Sequence, residues 1–274
     1  MDPDARGYDD FYRHFDSPLM QQIRREAYGE DIGQHSWVTA EELRADVSLL
    51  ELSPSSRLLD LGCGPCGPLT FVIGLVGCQG TGADVSRSAI AAGRAHAASL
   101  GLAGSIALHQ LDLNELLPFA SGAFDAVMSL DAVLHLRDRS STFREVARVL
   151  APGGRFLFTD AGVITGPISN VEAQSRAIHG YTQFVPPGFN ERALEVAGFR
   201  LQKVEDQTAS ALKNAAGRLA ASLAHRAELV ALEGAASFER QRSYLEVVIG
   251  LARRGTLSRM MYLAGAEAGA RPPR

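Results

Sequence analysis

The sequence predicts an α/β fold, doubly wound around a mostly parallel sheet of seven strands. Three observations predict it. Short apolar runs that end in an acid or a turn alternate with amphipathic or Ala-rich helical stretches, as strands joined by crossover helices do. One run, residues 57–61, breaks at once into Gly62, Gly64 and Gly67, the mark of a buried strand turning sharply into a helix. The chain has 274 residues, 46% of them hydrophobic and 21% charged, enough for one large core with covering segments.

The elements follow in order. Residues 1–52 read as an N-terminal helical cap. Tyr8, Phe11, Tyr12 and Phe15 recur there at helical spacing, and Thr39 with Glu42 fits a capping box opening a helix to about Leu50. The main domain spans 53–264. A turn at 53–56 and the strand at 57–61 precede a short apolar helix at 70–76, a strand at 80–84 and an Ala-rich helix at 86–100 closed by Gly101. Strands at 106–110, 124–130 and 155–159 follow, with a helix at 140–150 before the last. Residues 161–188, with Pro167, Pro186, Pro187 and several glycines, read as an irregular insertion. A helix at 190–197, a strand at 199–205, one or two helices in an insertion at 208–253 and a strand at 257–264 complete the domain. Residues 265–274 read as a flexible tail.

The formal net charge of −4 argues against a basic surface, so neither nucleic acid nor an anionic membrane is an expected partner. No apolar run reaches the roughly 20 residues that span a bilayer, and Met1-Asp2-Pro3-Asp4 is unlike a secretory signal. The expected compartment is the cytoplasm. Three cysteines make no disulfide framework. Cys63 and Cys66 lack a second Cys/His pair at zinc spacing, so no metal is expected. Homodimer formation is left open.

The turn after residue 61 is a ligand cradle. Gly62 and Gly64 permit crowded or left-handed backbone, and the following helix directs unpaired N–H groups at the same spot. Three patterns overlap in it. Gly62, Gly64 and Gly67 spell the G-x-G-x-x-G dinucleotide fingerprint. Cys63-Gly64-Pro65-Cys66 spells a thioredoxin-type C-G-P-C, with a helix N-terminus placed to lower a thiol pKa. Asp60-Leu61-Gly62-Cys63-Gly64 spells D-x-G-x-G. Asp84 closes the next strand, where a carboxylate accepts both ribose hydroxyl protons of an adenosine ligand.

Two further segments separate the readings: Phe124-Asp125-Ala126-Val127 at the fourth strand and Arg148-Val149-Leu150-Ala151-Pro152-Gly153-Gly154 before the fifth. Together with D-x-G-x-G and the strand-end acids they resemble the class I S-adenosylmethionine (SAM)-dependent methyltransferases. The resemblance implies a Rossmann-like sheet with N-terminal helices and helical insertions over the active site. It implies SAM as cofactor, with S-adenosylhomocysteine (SAH) as product, held by Asp60, Gly62, Cys63, Gly64, Asp84, Val85, Asp112, Leu113 and Ser129. Asp112 is the acid that accepts from the adenine amino group in that family.

Asp131-Ala132-Val133-Leu134-His135 and Tyr28-Gly29-Glu30-Asp31-Ile32 are similar to the small-amine branch, the phosphoethanolamine and sarcosine/dimethylglycine N-methyltransferases. The resemblance assigns His135 and Asp131 to catalysis, with His135 as the base or orienting group for a nucleophile. In phosphoethanolamine enzymes that His pairs with a Tyr. Here Phe15 falls where the Tyr is expected, with Tyr12 or Tyr8 as substitutes. Tyr12, Phe15, Tyr28, Trp37, Tyr181 and Phe184 are candidates for the acceptor pocket, since aromatic faces suit a sulfonium or an ammonium. The stretch 179–184 is the expected lid. The expected reaction is methyl transfer to N or O of a small molecule. Natural-product O- or C-methylation, an NAD(P)-dependent oxidoreductase and a non-catalytic SAM-binding protein are the alternatives.

Overall fold

The structure, a computed structural model, describes residues 9, 12–178 and 180–266. Tyr8, Phe11, His179 and the tail beyond residue 266 lie outside the described residues.

Leu58, Leu59 and Leu61 are almost completely buried because β1 (Arg57–Leu61) is bonded along both edges and covered on both faces. On one side lie β2 (Gln79–Asp84) and then β3 (Ile106–Gln110). On the other lie β4 (Phe124–Leu130) and β5 (Leu150–Ile164), and all five are parallel. β7 (Leu257–Ala266) runs antiparallel between β5 and β6 (Phe199–Asp206), so the seven-stranded order is β3-β2-β1-β4-β5-β7-β6. The order reverses between β1 and β4, which opens a crevice at their carboxyl ends.

Alternate strand residues feed opposite cores. Leu58 and Met128 pack with Leu43, Leu69 and Ile90 from α2 (Ala40–Ser48), α3 (Gly67–Val76) and α4 (Arg87–Ser99). Leu59 and Val127 pack with Phe143, Phe156 and Leu194, where α5 (Arg139–Val149) and α7 (Phe189–Val196) cover the other face. Over the carboxyl ends sit α1 (Pro18–Tyr28), α6 (Asn170–Arg176), α8 (Thr208–Ala224), α9 (Arg226–Glu233) and α10 (Ala235–Arg253). α1 and α8 cross closely, since a Cβ on Gly217 would lie 2.5 Å from the Ala27 carbonyl oxygen.

Four expectations change. The fifth strand begins at Leu150, because Pro152, Gly153 and Gly154 sit in a register shift and the strand carries on past them. Residues 161–188 are not irregular throughout. β5 continues to Ile164, and Ser169 with Glu172 forms a complete capping box at the start of α6. The 208–253 stretch holds three helices, broken at His225 and at Gly234, whose φ is +87°. The box at Thr39 is half formed: Thr39 Oγ1 accepts from the Glu42 amide, but the Glu42 carboxylate accepts from Arg259. No helix among the described residues is long and apolar enough to cross a membrane.

Candidate active site

The turn after β1 is built by close approach. Gly62 has φ +74°, and a Cβ there would lie 2.4 Å from the Ala132 Cβ. The amides of Gly62 and Cys63 both donate to the Ala83 carbonyl, at 2.8 and 3.1 Å. Gly64, at φ +53°, donates to Asp84 Oδ2 at 2.9 Å, and Asp84 Oδ1 accepts from the Ser86 amide at 2.8 Å. One carboxylate therefore clamps the glycine turn to the start of α4. Burial pushes the Asp84 carboxyl up. Burial, with the nearby charge of Asp84, pushes Asp60 up to about 8. Asp112 accepts from the amide and the side chain of Asn114, both through Oδ1.

The cysteines of the turn correct one expectation. Cys63 and Cys66 lie 3.4 Å apart, buried and reduced. Their hydrogen bond and burial push the Cys63 thiol well up, opposite to the helix N-terminal effect. Gly82 and Gly93 make room for the sulfurs, because a Cβ on either would lie 2.8 Å from one of them. Packing is their role in this fold.

Asp131, expected in catalysis, is committed elsewhere. It follows β4 at φ +56°. Oδ2 accepts from the Trp37 amide at 2.8 Å, and Oδ1 accepts from Arg259 Nε at 2.8 Å and Thr159 Oγ1 at 2.9 Å. Arg259 also donates to Glu42 and Gln207, at 2.6 and 2.8 Å. Asp131 faces the cavity but positions Trp37.

His135 ends a single helical turn, Val133–His135. Its Nδ1 lies 2.8 Å from the Tyr181 carbonyl. A carbonyl only accepts, so Nδ1 carries the proton and Nε2 holds the lone pair. Burial pushes the imidazole down to about 4, so it is neutral at pH 7. Arg139, ion-paired to Asp160 at 2.6 Å with both side chains inaccessible, donates to the Gln183 carbonyl and braces the segment that holds His135. Opposite stands a wall of Trp37 stacked on Tyr244, with ring centres 6.2 Å apart. The Arg218 guanidinium lies 5.1 Å from the Trp37 ring centre, and Arg176 donates to Tyr244 Oη at 2.9 Å.

One cavity brings together Asp60, Gly62, Cys63, Gly64, Asp84, Val85, Asp112, Leu113, Asp131, His135, Tyr12 and Trp37. Five other candidates do not line it. Ser129 donates to the Leu61 carbonyl and braces β4 on β1. Phe15 is buried under Arg24, and Tyr28 donates to the Ser36 carbonyl behind the wall. Tyr181 offers its carbonyl to His135 while its side chain is exposed, and Phe184 is half-buried beside the same segment. Sequence reasoning missed His35, Arg176, Arg218 and Tyr244, which also line the cavity. The one available signal was Asn214 and Arg218, polar residues one turn apart in an otherwise Ala-rich helix.

This sheet order, with a glycine turn and acids beyond the first three strands, is the class I methyltransferase arrangement, and residues 59–158 match the family model of a methyltransferase domain. The chain resembles the class I SAM-dependent methyltransferases, the small-amine N-methyltransferases among them. It is 34% identical over 122 residues to methyltransferase GfsG of Streptomyces halstedii, covering 44% of this chain and 43% of that one. It is 28% identical to the sarcosine/dimethylglycine N-methyltransferase of Halorhodospira halochloris, over 76% of this chain and 74% of the other. Further relatives are named as sterol C- and as O-methyltransferases. The matched region spans 43, 50 and 64% of the length of GfsG and of the sterol C- and O-methyltransferase relatives. The fold superposes on phosphoethanolamine N-methyltransferase 2 of Haemonchus contortus with TM-score 0.79 at 19% identity, over 95% of this chain and 60% of that one.

Proposed function

We propose that this protein transfers the methyl group of SAM to a nitrogen or oxygen of a small-molecule acceptor. The observation that carries the reading is that the clamped glycine turn, Asp84, Asp112 and a neutral His135 all open on one cavity. The residues present fit the cofactor. Asp84 uses one lone pair on each oxygen for backbone amides, which leaves the others for ribose hydroxyls. Among the described residues Asp112 Oδ2 makes no hydrogen bond, and it suits the adenine amino group. Asp60, on the same cavity wall, offers a carboxyl oxygen to the ammonium of the methionine end, a cation that would favour its ionised form.

When bound, SAM supplies a methyl group already activated by a sulfonium. The chain's own contribution is alignment and exclusion of water, part of the roughly 7–11 kcal/mol that positioning can provide. Trp37 and Tyr244 offer aromatic faces to cationic groups. His135 accepts a hydrogen bond from the nucleophile through Nε2 and so turns the nucleophile's lone pair toward the methyl group. With its pKa near 4, it orients a neutral amine better than it deprotonates a hydroxyl, which favours N-methylation. Incubating the purified chain with isotopically labelled SAM and a metabolite extract tests the reading. Label should appear in one small molecule, on nitrogen, and transfer to none would contradict it.

A further inference from the structure

A second cavity of about 400 Å³ lies beside the first, under α1, α8, α9 and α10. Nothing in the proposed methyl transfer uses it. His35 and Arg218 line both cavities, so these two side chains form the waist between them. The His35 ring meets Tyr12 of the first cavity edge-on at 5.8 Å and Phe15 of the second at 6.5 Å. Buried Phe15, Ile23, Leu229 and Phe238 give the second cavity apolar walls, as sites for organic ligands have.

Its charges are lopsided: Arg13, Arg24, Arg218, Arg240 and Arg242 face it against Glu233. Arg24 is paired with Asp31, and Arg242 with Glu239 and Glu246. Arg218 is half-buried at the waist and has no carboxylate partner among the described residues. A partly desolvated guanidinium of that kind is stabilised by an anion that enters beside it.

We infer that the acceptor is an amphipathic anion, its anionic group paired with Arg218 and its apolar part filling the second cavity. The atom to be methylated then stands in the first cavity with His135. The inference rests on the methyltransferase reading and extends it, since an acceptor of a few atoms would leave this chamber idle.

The test uses the full chain and 8-anilinonaphthalene-1-sulfonate, followed by fluorescence. N-phenyl-1-naphthylamine serves as its uncharged counterpart, with SAH calorimetry in parallel. The sulfonate should bind saturably and at least about 10-fold tighter than the uncharged dye. Arg218→Gln should weaken the sulfonate by about 10-fold and leave the uncharged dye within about 2-fold. Ser222→Phe, which fills the cavity from α8, should weaken both dyes, and SAH heat should persist in both variants. Two results overturn the inference while the methyltransferase reading stands: a chain that binds SAH but no dye, or sulfonate binding indifferent to both substitutions. Absence of SAH heat from the wild-type chain overturns the reading itself, and this assignment with it, by a separate signal.

Discussion

The backbone amide of Trp37 donates to Oδ2 of Asp131 at 2.8 Å, tying the covering segment to the end of β4. The other oxygen of the same carboxylate takes Arg259, which reaches on to Glu42 in α2. The aromatic wall of the cavity is thus fixed by a charge network, with packing on Tyr244 as its second support.

Removing that carboxylate leaves Arg259 buried with one anion fewer, its side chain 1% exposed and that of Asp131 6%. Asp131→Ala should cost on the order of 3–5 kcal/mol, measured by urea unfolding. Trp37 is the sole tryptophan, so its emission should shift to the red in the folded variant. Unchanged stability and emission would show that the wall stands without the network.

In the proposed reaction His135 acts as a neutral acceptor. His135→Ala should lower turnover by about 10²-fold or more while SAH affinity stays within about 2-fold. The imidazole, pushed down to about 4, must be unprotonated to accept. Its contribution to turnover should therefore rise with pH through about 4 and be flat above pH 6. A His135-dependent limb near 6.5 would contradict the burial of this ring.

Asp60 makes stability fall with pH. Its carboxyl, raised to about 8, binds a proton in the folded chain where the unfolded chain has released it. The folded state therefore loses this advantage as pH rises from about 4 to 8, and the loss stands unopposed from about 6.5 to 8. His135 acts in the opposite sense, but its change is complete below that window. Thermal unfolding of the ligand-free protein should show Tm declining over it, and Asp60→Asn should flatten the decline. A Tm that rises across the window would refute the assignment.

Gly62 tolerates no side chain. A Cβ would lie 2.4 Å from the Ala132 Cβ at φ +74°, so Gly62→Ala must push the turn off the loop after β4. Loss of SAH affinity by at least about 10-fold is expected, read by calorimetry on protein whose circular dichroism remains native. Retained affinity would mean that the turn does not hold the ligand.

What the sequence made legible follows from where the interactions lie. β1, β3 and β4 are short apolar runs cut by turn residues, and their ends fall as read. β5 was cut short because Pro152 and the two glycines read as breakers, while the sheet absorbs them in a register shift. The nucleoside half of the site sits at consecutive strand ends, so contiguous motifs mark it. The proposed acceptor half joins Trp37, Arg176, Arg218 and Tyr244 from four separate segments. Only tertiary packing assembles it, and no local period announces it. Phe15 and Tyr28, expected in the acceptor pocket from their type, line the second cavity and not the first.

The central claim is that Asp84 and the glycine turn hold an adenosyl ligand. Isothermal titration of SAH into wild-type protein and into Asp84→Ala tests it most directly. Saturable one-site heat in the wild type and none in the variant is the expected result; a wild-type titration without heat, or equal binding by both proteins, would contradict it.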